Sequence, residues 1–127
     1  MDILVVEDDF YVARVLKNIL SYEGYEVGVA NNAGEALERL LKKDIPKLII
    51  LDLMMPEVDG FSFYFQMRDL PGCTDIPVII LTAISKLEEK RYAYDLGVVA
   101  YLTKPFNPVE LIKLVRKFLA SGTAGDE

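Results

Sequence analysis

Hydrophobic positions along the chain fall into two alternating spacings. Ile3–Val6 is a short, unbroken apolar run rich in β-branched residues, the pattern of a strand buried on both faces. Phe10–Tyr22 instead places Val12, Val15, Leu16, Ile19 and Leu20 at helical intervals, with Gly24 following as a stop. The alternation continues with a strand over 25–30 and a helix over 33–43. Asn31 or Asn32 can cap that helix, and Ala36, Leu37, Leu40 and Leu41 share one of its faces. Pro46 precedes a third apolar run, Leu48–Leu51. A loop over 52–60 and a helix over 61–70 follow, the helix ended by Pro71-Gly72. Strands are predicted over 77–81 and 98–102, and helices over 86–96 and 108–119, the last with Pro108 in its first turn.

Five strands alternating with five helices define an α/β fold: a doubly wound, five-stranded parallel sheet covered on both faces. Such sheets bind ligands beyond the carboxyl ends of their strands, where the strand order reverses. The 127 residues make one domain, placed here at 1–120, and the small polar segment 121–127 is a tail or the start of a linker. Neither a repeat nor a low-complexity segment interrupts the pattern.

Composition narrows the chemistry. Apolar residues make up 52% and charged residues 27%, a globular balance. The net charge of −6 gives no electrostatic footprint for non-specific nucleic-acid binding. The chain lacks histidine, the commonest general base and metal ligand, and its single cysteine, Cys73, fits a half-buried loop thiol in a reducing compartment. Without a basic leader or an apolar run long enough to span a bilayer, it is expected to be a cytoplasmic domain with no membrane partner.

The strand ends carry the candidate chemistry. The first strand runs into Glu7-Asp8-Asp9, the third into Asp52, the fourth into Thr82-Ala83 and the fifth into Thr103-Lys104-Pro105-Phe106. Singly, each has an ordinary reading: helix-start charge, turn residue, loop hydroxyl, solvated lysine. Together they bring acid, acid, hydroxyl and ammonium to one sheet edge. Crowded carboxylates repel and favour a bound cation. Hard oxygen donors with nothing soft or nitrogenous beside them suit Mg²⁺ rather than zinc. A metal and an ammonium together answer the charge demand of phosphoryl transfer, and a carboxylate can itself be the nucleophile, forming an acyl phosphate.

With these residues the chain, from about Met1 to Leu119, resembles the receiver domains of two-component response regulators. Val5-Val6-Glu7-Asp8-Asp9 is similar to the family's acidic segment, and Leu51-Asp52-Leu53-Met54-Met55-Pro56-Glu57-Val58-Asp59-Gly60 to its phosphorylation loop. Thr82-Ala83 resembles its switch hydroxyl and small residue, and Tyr101-Leu102-Thr103-Lys104-Pro105-Phe106 its lysine segment, both at the family's usual intervals from Asp52.

The resemblance implies the strand order 2-1-3-4-5 and makes Asp52 the phosphoacceptor. A sensor histidine kinase or histidine phosphotransfer protein would be the donor, and a further protein or domain the output. It implies Mg²⁺ held by Glu7, Asp8, Asp52 and the backbone carbonyl of Met54. Thr82, Ala83 and Lys104 would bind the phosphoryl group, and the Lys104–Pro105 bond would be cis. Thr82 and Tyr101 would be the switch pair, Tyr101 turning inward on phosphorylation. The readout would fall on the face of the fourth helix, fifth strand and fifth helix, for which Val98, Val99, Tyr101 and Phe106 are candidates. Val98 and Val99 are equally compatible with burial in the fifth strand.

Three other readings fit these residues less well. A haloacid-dehalogenase-like phosphatase needs an aspartate two residues after its nucleophile, and that position is Met54. A flavodoxin-like cofactor carrier needs a glycine- or hydroxyl-rich first loop, whereas Glu7-Asp8-Asp9 repels phosphate. A phosphate-independent interaction module is disfavoured by the intact acidic, hydroxyl and lysine set. The expected role is a signalling switch rather than an enzyme acting on a metabolite, although it assists its own phosphorylation and dephosphorylation.

Overall fold

The computed structural model describes the backbone of residues 1–123 and the side chains of residues 1–119. Ten elements alternate: β1 (Ile3–Val6), α1 (Phe10–Tyr22), β2 (Val27–Ala30), α2 (Ala33–Leu41), β3 (Leu48–Leu51), α3 (Gly60–Arg68), β4 (Val78–Thr82), α4 (Leu87–Leu96), β5 (Ala100–Thr103) and α5 (Pro108–Thr123). All strand pairs are parallel, in the order β2-β1-β3-β4-β5.

Alternate side chains of each strand leave by opposite faces, so four-residue apolar strands feed two cores at once. Leu4, Val6, Ile49, Leu51 and Ile80 pack with Leu40 of α2, Phe63 and Met67 of α3 and Ala93 of α4. Ile3, Val5, Ile50, Ile79 and Leu81 pack with Leu16 and Leu20 of α1 and Leu111 and Val115 of α5. Each fully buried Leu, Ile, Phe or Met contributes about 1.5–3 kcal/mol. The sheet is therefore a rigid shelf, and its carboxyl edge is a fixed platform.

Several element ends differ from the sequence expectation, each for a local reason. β2 starts at Val27 rather than 25 because the Glu26 carbonyl takes the amides of Asp2 and Ile3, while its own amide donates to the Asp2 carboxylate. α2 stops at Leu41 because Lys43 turns left-handed at φ 65°, with its N–H on the Leu40 carbonyl. α3 starts at Gly60, where Asp59 accepts the Ser62 amide. β4 keeps Thr82, paired with Thr103, while β5 begins only at Ala100 because Val98 still donates to Ala93 at the end of α4. α5 runs to Thr123, past the expected end at 119, and residues 124–127 of the proposed tail lie outside the described residues.

Cys73 is fully buried rather than half-buried. It packs in the core cluster with Met67 and Ile76, and burial pushes its thiol above the ordinary range, with nearby Arg68 opposing. The reactive thiolate is therefore both scarce and inaccessible. Alkylation by iodoacetamide at neutral pH should run about a hundredfold slower in the folded chain than in the same chain in denaturant. Equal rates would show that the thiol is exposed.

Candidate functional site

Glu7 and Asp52 directly follow β1 and β3, Thr82 ends β4 and Lys104 follows β5, so the parallel sheet delivers all four to its carboxyl edge. Glu7, Asp52 and Thr82 are the buried polar side chains among the described residues, at 2%, 5% and 0% exposure. Lys104 Nζ lies 2.6 Å from Glu7 Oε1 and 3.0 Å from Asp52 Oδ2. The second oxygens are also engaged: Asp9 N–H donates to Glu7 Oε2 at 3.1 Å, and Met54 N–H to Asp52 Oδ1 at 3.0 Å.

Electrostatic demand at this edge is high. Burial pushes Glu7 up to about 7, the Asp52 charge adding to the rise and the Lys104 hydrogen bond opposing it. Burial alone would depress the Lys104 ammonium, but its bonds to Glu7 and then Asp52 outweigh burial and raise it. One ammonium thus serves two buried carboxylates. Asp8 stands beside them in the open, and Glu7, Asp8 and Asp52 each offer an oxygen within 4.8 Å of the others. Three carboxylates with no nitrogen or sulfur donor among them fit a hard divalent cation. Asp9, the third acid of the run, is engaged elsewhere: it caps α1 by accepting from Tyr11 and Val12.

Gly60 lets α3 close onto the Asp52 loop. A Cβ at that position would lie 2.7 Å from Leu53 Cα and 2.8 Å from the Asp52 carbonyl oxygen, too close for any side chain. Met54 projects outward, 55% exposed, while its amide is held by Asp52.

Thr82 and Tyr101 meet through one residue. Ile84 N–H donates to Thr82 Oγ1 at 3.4 Å, and the Ile84 carbonyl accepts the Tyr101 hydroxyl at 2.7 Å. Tyr101 already lies inward, 6% exposed, whereas the resemblance implied that it turns inward only on phosphorylation. Burial, then the charges of Glu89 and Asp52, raise its phenol above the ordinary range and keep it a donor. Ala83 between them is exposed. The Lys104–Pro105 peptide is cis, as the resemblance implied.

The apolar output candidates differ in exposure. Val98 is buried in the core beside Ala93, and Val99 and Phe106 are half-buried against the opposite core cluster. Left-handed Gly97 ends α4 and turns Val98 inward, so Val98 joins the core just ahead of β5. Among the described residues, the exposed large apolar side chains of α4 and α5 are Leu87, Tyr92, Tyr94 and Val109. Spacing did not single out the Ile84 peptide or the contacts around Tyr64 and Arg68. The i,i+4 interval of the latter pair was the one available hint.

The doubly wound parallel sheet thus gathers carboxylates, a lysine and a buried hydroxyl at its carboxyl edge, where such sheets bind ligands. The family model for the response regulator receiver domain matches residues 3–116, and the chain belongs to that family. It is 46% identical over 118 residues to an uncharacterised 14.6 kDa protein of Leptolyngbya boryana, covering 93% of this chain and 89% of that one. It is 40% identical to the response regulator MprA of Mycobacterium leprae, covering 94% of this chain and 51% of MprA. The chain thus spans about half the length of the longer relatives. The receiver domain of Francisella response regulator 1452 superposes with a TM-score of 0.86 at 33% identity, covering 95% of this chain and 98% of that one. The receiver domain of the sensor histidine kinase PA1611 of Pseudomonas aeruginosa, solved with magnesium in its active-site cleft, gives 0.83 at 27% identity, covering 94% and 97%. Among the described residues, no helix is long and apolar enough to cross a membrane.

Proposed function

We propose that residues 1–120 are a phosphorylation-controlled switch in which Asp52 accepts a phosphoryl group from a phosphohistidine of a kinase or phosphotransfer protein. The observation that carries this reading is the sharing of Lys104 between buried Glu7 and Asp52. An Asp52 oxygen attacks phosphorus, the new O–P bond forms as the P–N bond breaks, and the electron pair leaves with the imidazole, which is protonated on the donor. Lys104 transfers one of its hydrogen bonds to a phosphoryl oxygen. Thr82 Oγ1–H and the Ala83 amide supply further donors to the transferred group. Glu7, Asp8, Asp52 and the Met54 carbonyl would hold Mg²⁺, which would supply charge neutralisation for the phosphoryl oxygens.

Thr82 Oγ1 only accepts from the Ile84 amide, and weakly at 3.4 Å, so its proton is available to a phosphoryl oxygen, and a turn of the hydroxyl toward that oxygen pulls on the loop that Tyr101 holds from the other side. Phosphorylation then biases a two-state segment at α4, β5 and α5 toward an output partner, with no metabolite turned over. The net charge of −6 gives no general electrostatic attraction to nucleic acid, and the domain acts in the cytoplasm.

Incubation with Mg²⁺ and a small acyl phosphate should add one phosphoryl unit to the chain, mapped to Asp52 by peptide mass. Uptake on another residue, or none, would leave a phosphate-independent interaction module as the better reading.

Met54 and Ile84 follow Asp52 and Thr82 by two positions and carry no polar atom able to orient an attacking water. The phosphoryl half-life should therefore be about tenfold longer than in a Met54→Asn, Ile84→Glu double variant. A shorter or equal wild-type half-life, followed by intact mass, would refute this.

A further inference from the structure

α4 is held very differently at its two ends. At the start, Lys86 makes no side-chain cap hydrogen bond and Leu87 is 60% exposed. The preceding loop is held by the Tyr101 hydroxyl on the Ile84 carbonyl and by the weak Ile84–Thr82 bond. At the finish, Ala93 is buried, left-handed Gly97 closes the helix, and Val98 N–H returns to the Ala93 carbonyl.

A second tyrosine reinforces that finish. The Tyr64 hydroxyl of α3 donates to the Leu96 carbonyl at 3.0 Å, one of the terminal carbonyls a helix leaves without an internal partner. Arg68 Nη2 donates to the same Tyr64 oxygen at 3.0 Å, and its Nη1 donates to the carbonyls of Ile76 at 2.8 Å and Cys73 at 3.2 Å. A guanidinium has donors only, so the phenol accepts from Arg68 and must direct its own proton at Leu96. Gly97 at φ 109° fits this contact closely, since a Cβ there would meet Tyr64 Oη at 3.2 Å.

We propose that Tyr64, oriented by Arg68, is the fulcrum of α4: it pins the C-terminal end of the helix so that a change at Thr82 and Ile84 swings only the N-terminal end. Tyr64 is a positioning residue remote from the phosphoryl site, and Tyr101 is its counterpart at the moving end. The inference rests on the switch reading for the origin of the motion, but the asymmetry of the two anchors exists without phosphate.

Hydrogen exchange, read by mass on peptides 84–92 and 93–99, tests it in the full chain. Tyr64→Phe removes one hydroxyl and keeps the ring. It should speed exchange about tenfold in 93–99 and change 84–92 by less than about twofold. Tyr101→Phe should do the reverse. After phosphorylation, checked by intact mass, the wild type should change in 84–92 alone, whereas Tyr64→Phe should let the change reach 93–99. Equal acceleration of both peptides by Tyr64→Phe, or of neither, would overturn the fulcrum, as would a wild type whose two ends respond alike. Failure to take up phosphate counts against the switch reading, and the comparison of the two unphosphorylated variants still decides the fulcrum.

Discussion

An Asp52→Asn chain will take up no phosphoryl group from any donor, yet will fold at least as stably as the wild type at neutral pH. Uptake fails because the amide offers neither a nucleophilic oxygen anion nor its share of the cation-binding charge. Stability survives because Lys104 keeps its 2.6 Å partner Glu7 while one of two crowded buried carboxylates is neutralised. Asp52 repulsion is one reason Glu7 rises to about 7, so Glu7 in this variant should ionise at lower pH. Intact mass measures the first effect and thermal unfolding at pH 7 the second. Residual phosphoryl uptake would show that the acceptor is elsewhere.

Lys104→Met should be the most destabilising change at the site. It strands Glu7 and Asp52 in the protein without a cation, a situation that costs about 3–5 kcal/mol when a buried pair loses one partner. The loss should depend on pH with a definite sign. Glu7 binds its proton more tightly folded than unfolded, so its contribution to stability falls as pH rises from its unfolded value of 4.5 toward about 7 and is flat above that. Removing the Lys104 hydrogen bond, which holds Glu7 down, extends this fall above pH 7. Urea unfolding should therefore find the variant's deficit larger at pH 8 than at pH 6, and Mg²⁺ should recover part of it. A deficit independent of pH would mean that Lys104 contributes packing rather than charge.

Much of this architecture was legible in the residues. The unbroken runs Ile3–Val6 and Leu48–Leu51 cannot satisfy a half-exposed sheet, so a sheet covered on both faces followed directly. Once the sheet was parallel, the position of Glu7, Asp52, Thr82 and Lys104 at strand ends required them to share an edge. Contacts between elements were not legible. Val98 reads the same in sequence whether it faces solvent or core, and its place was decided by the left-handed turn at Gly97. Tyr64 and Arg68 look like one helix's surface pair, and only the tertiary fold brings the Leu96 carbonyl within reach. Lys43, a helix terminator without glycine, was invisible for the same reason: its turn is stabilised by backbone bonds that any residue can make.

The cation that reconciles Glu7 and Asp52 sits just past β5, an outer strand paired on one side alone. The two acids are anchored by the inner strands β1 and β3, and their counterion reaches them from 97 and 52 residues farther along the chain. A nascent polypeptide still emerging from the ribosome therefore holds both acids before it holds their partner. Competence is a property of the finished chain. Any event that peels the outer strand away, whether a partner binding its edge or thermal fraying, disarms the acids without touching them.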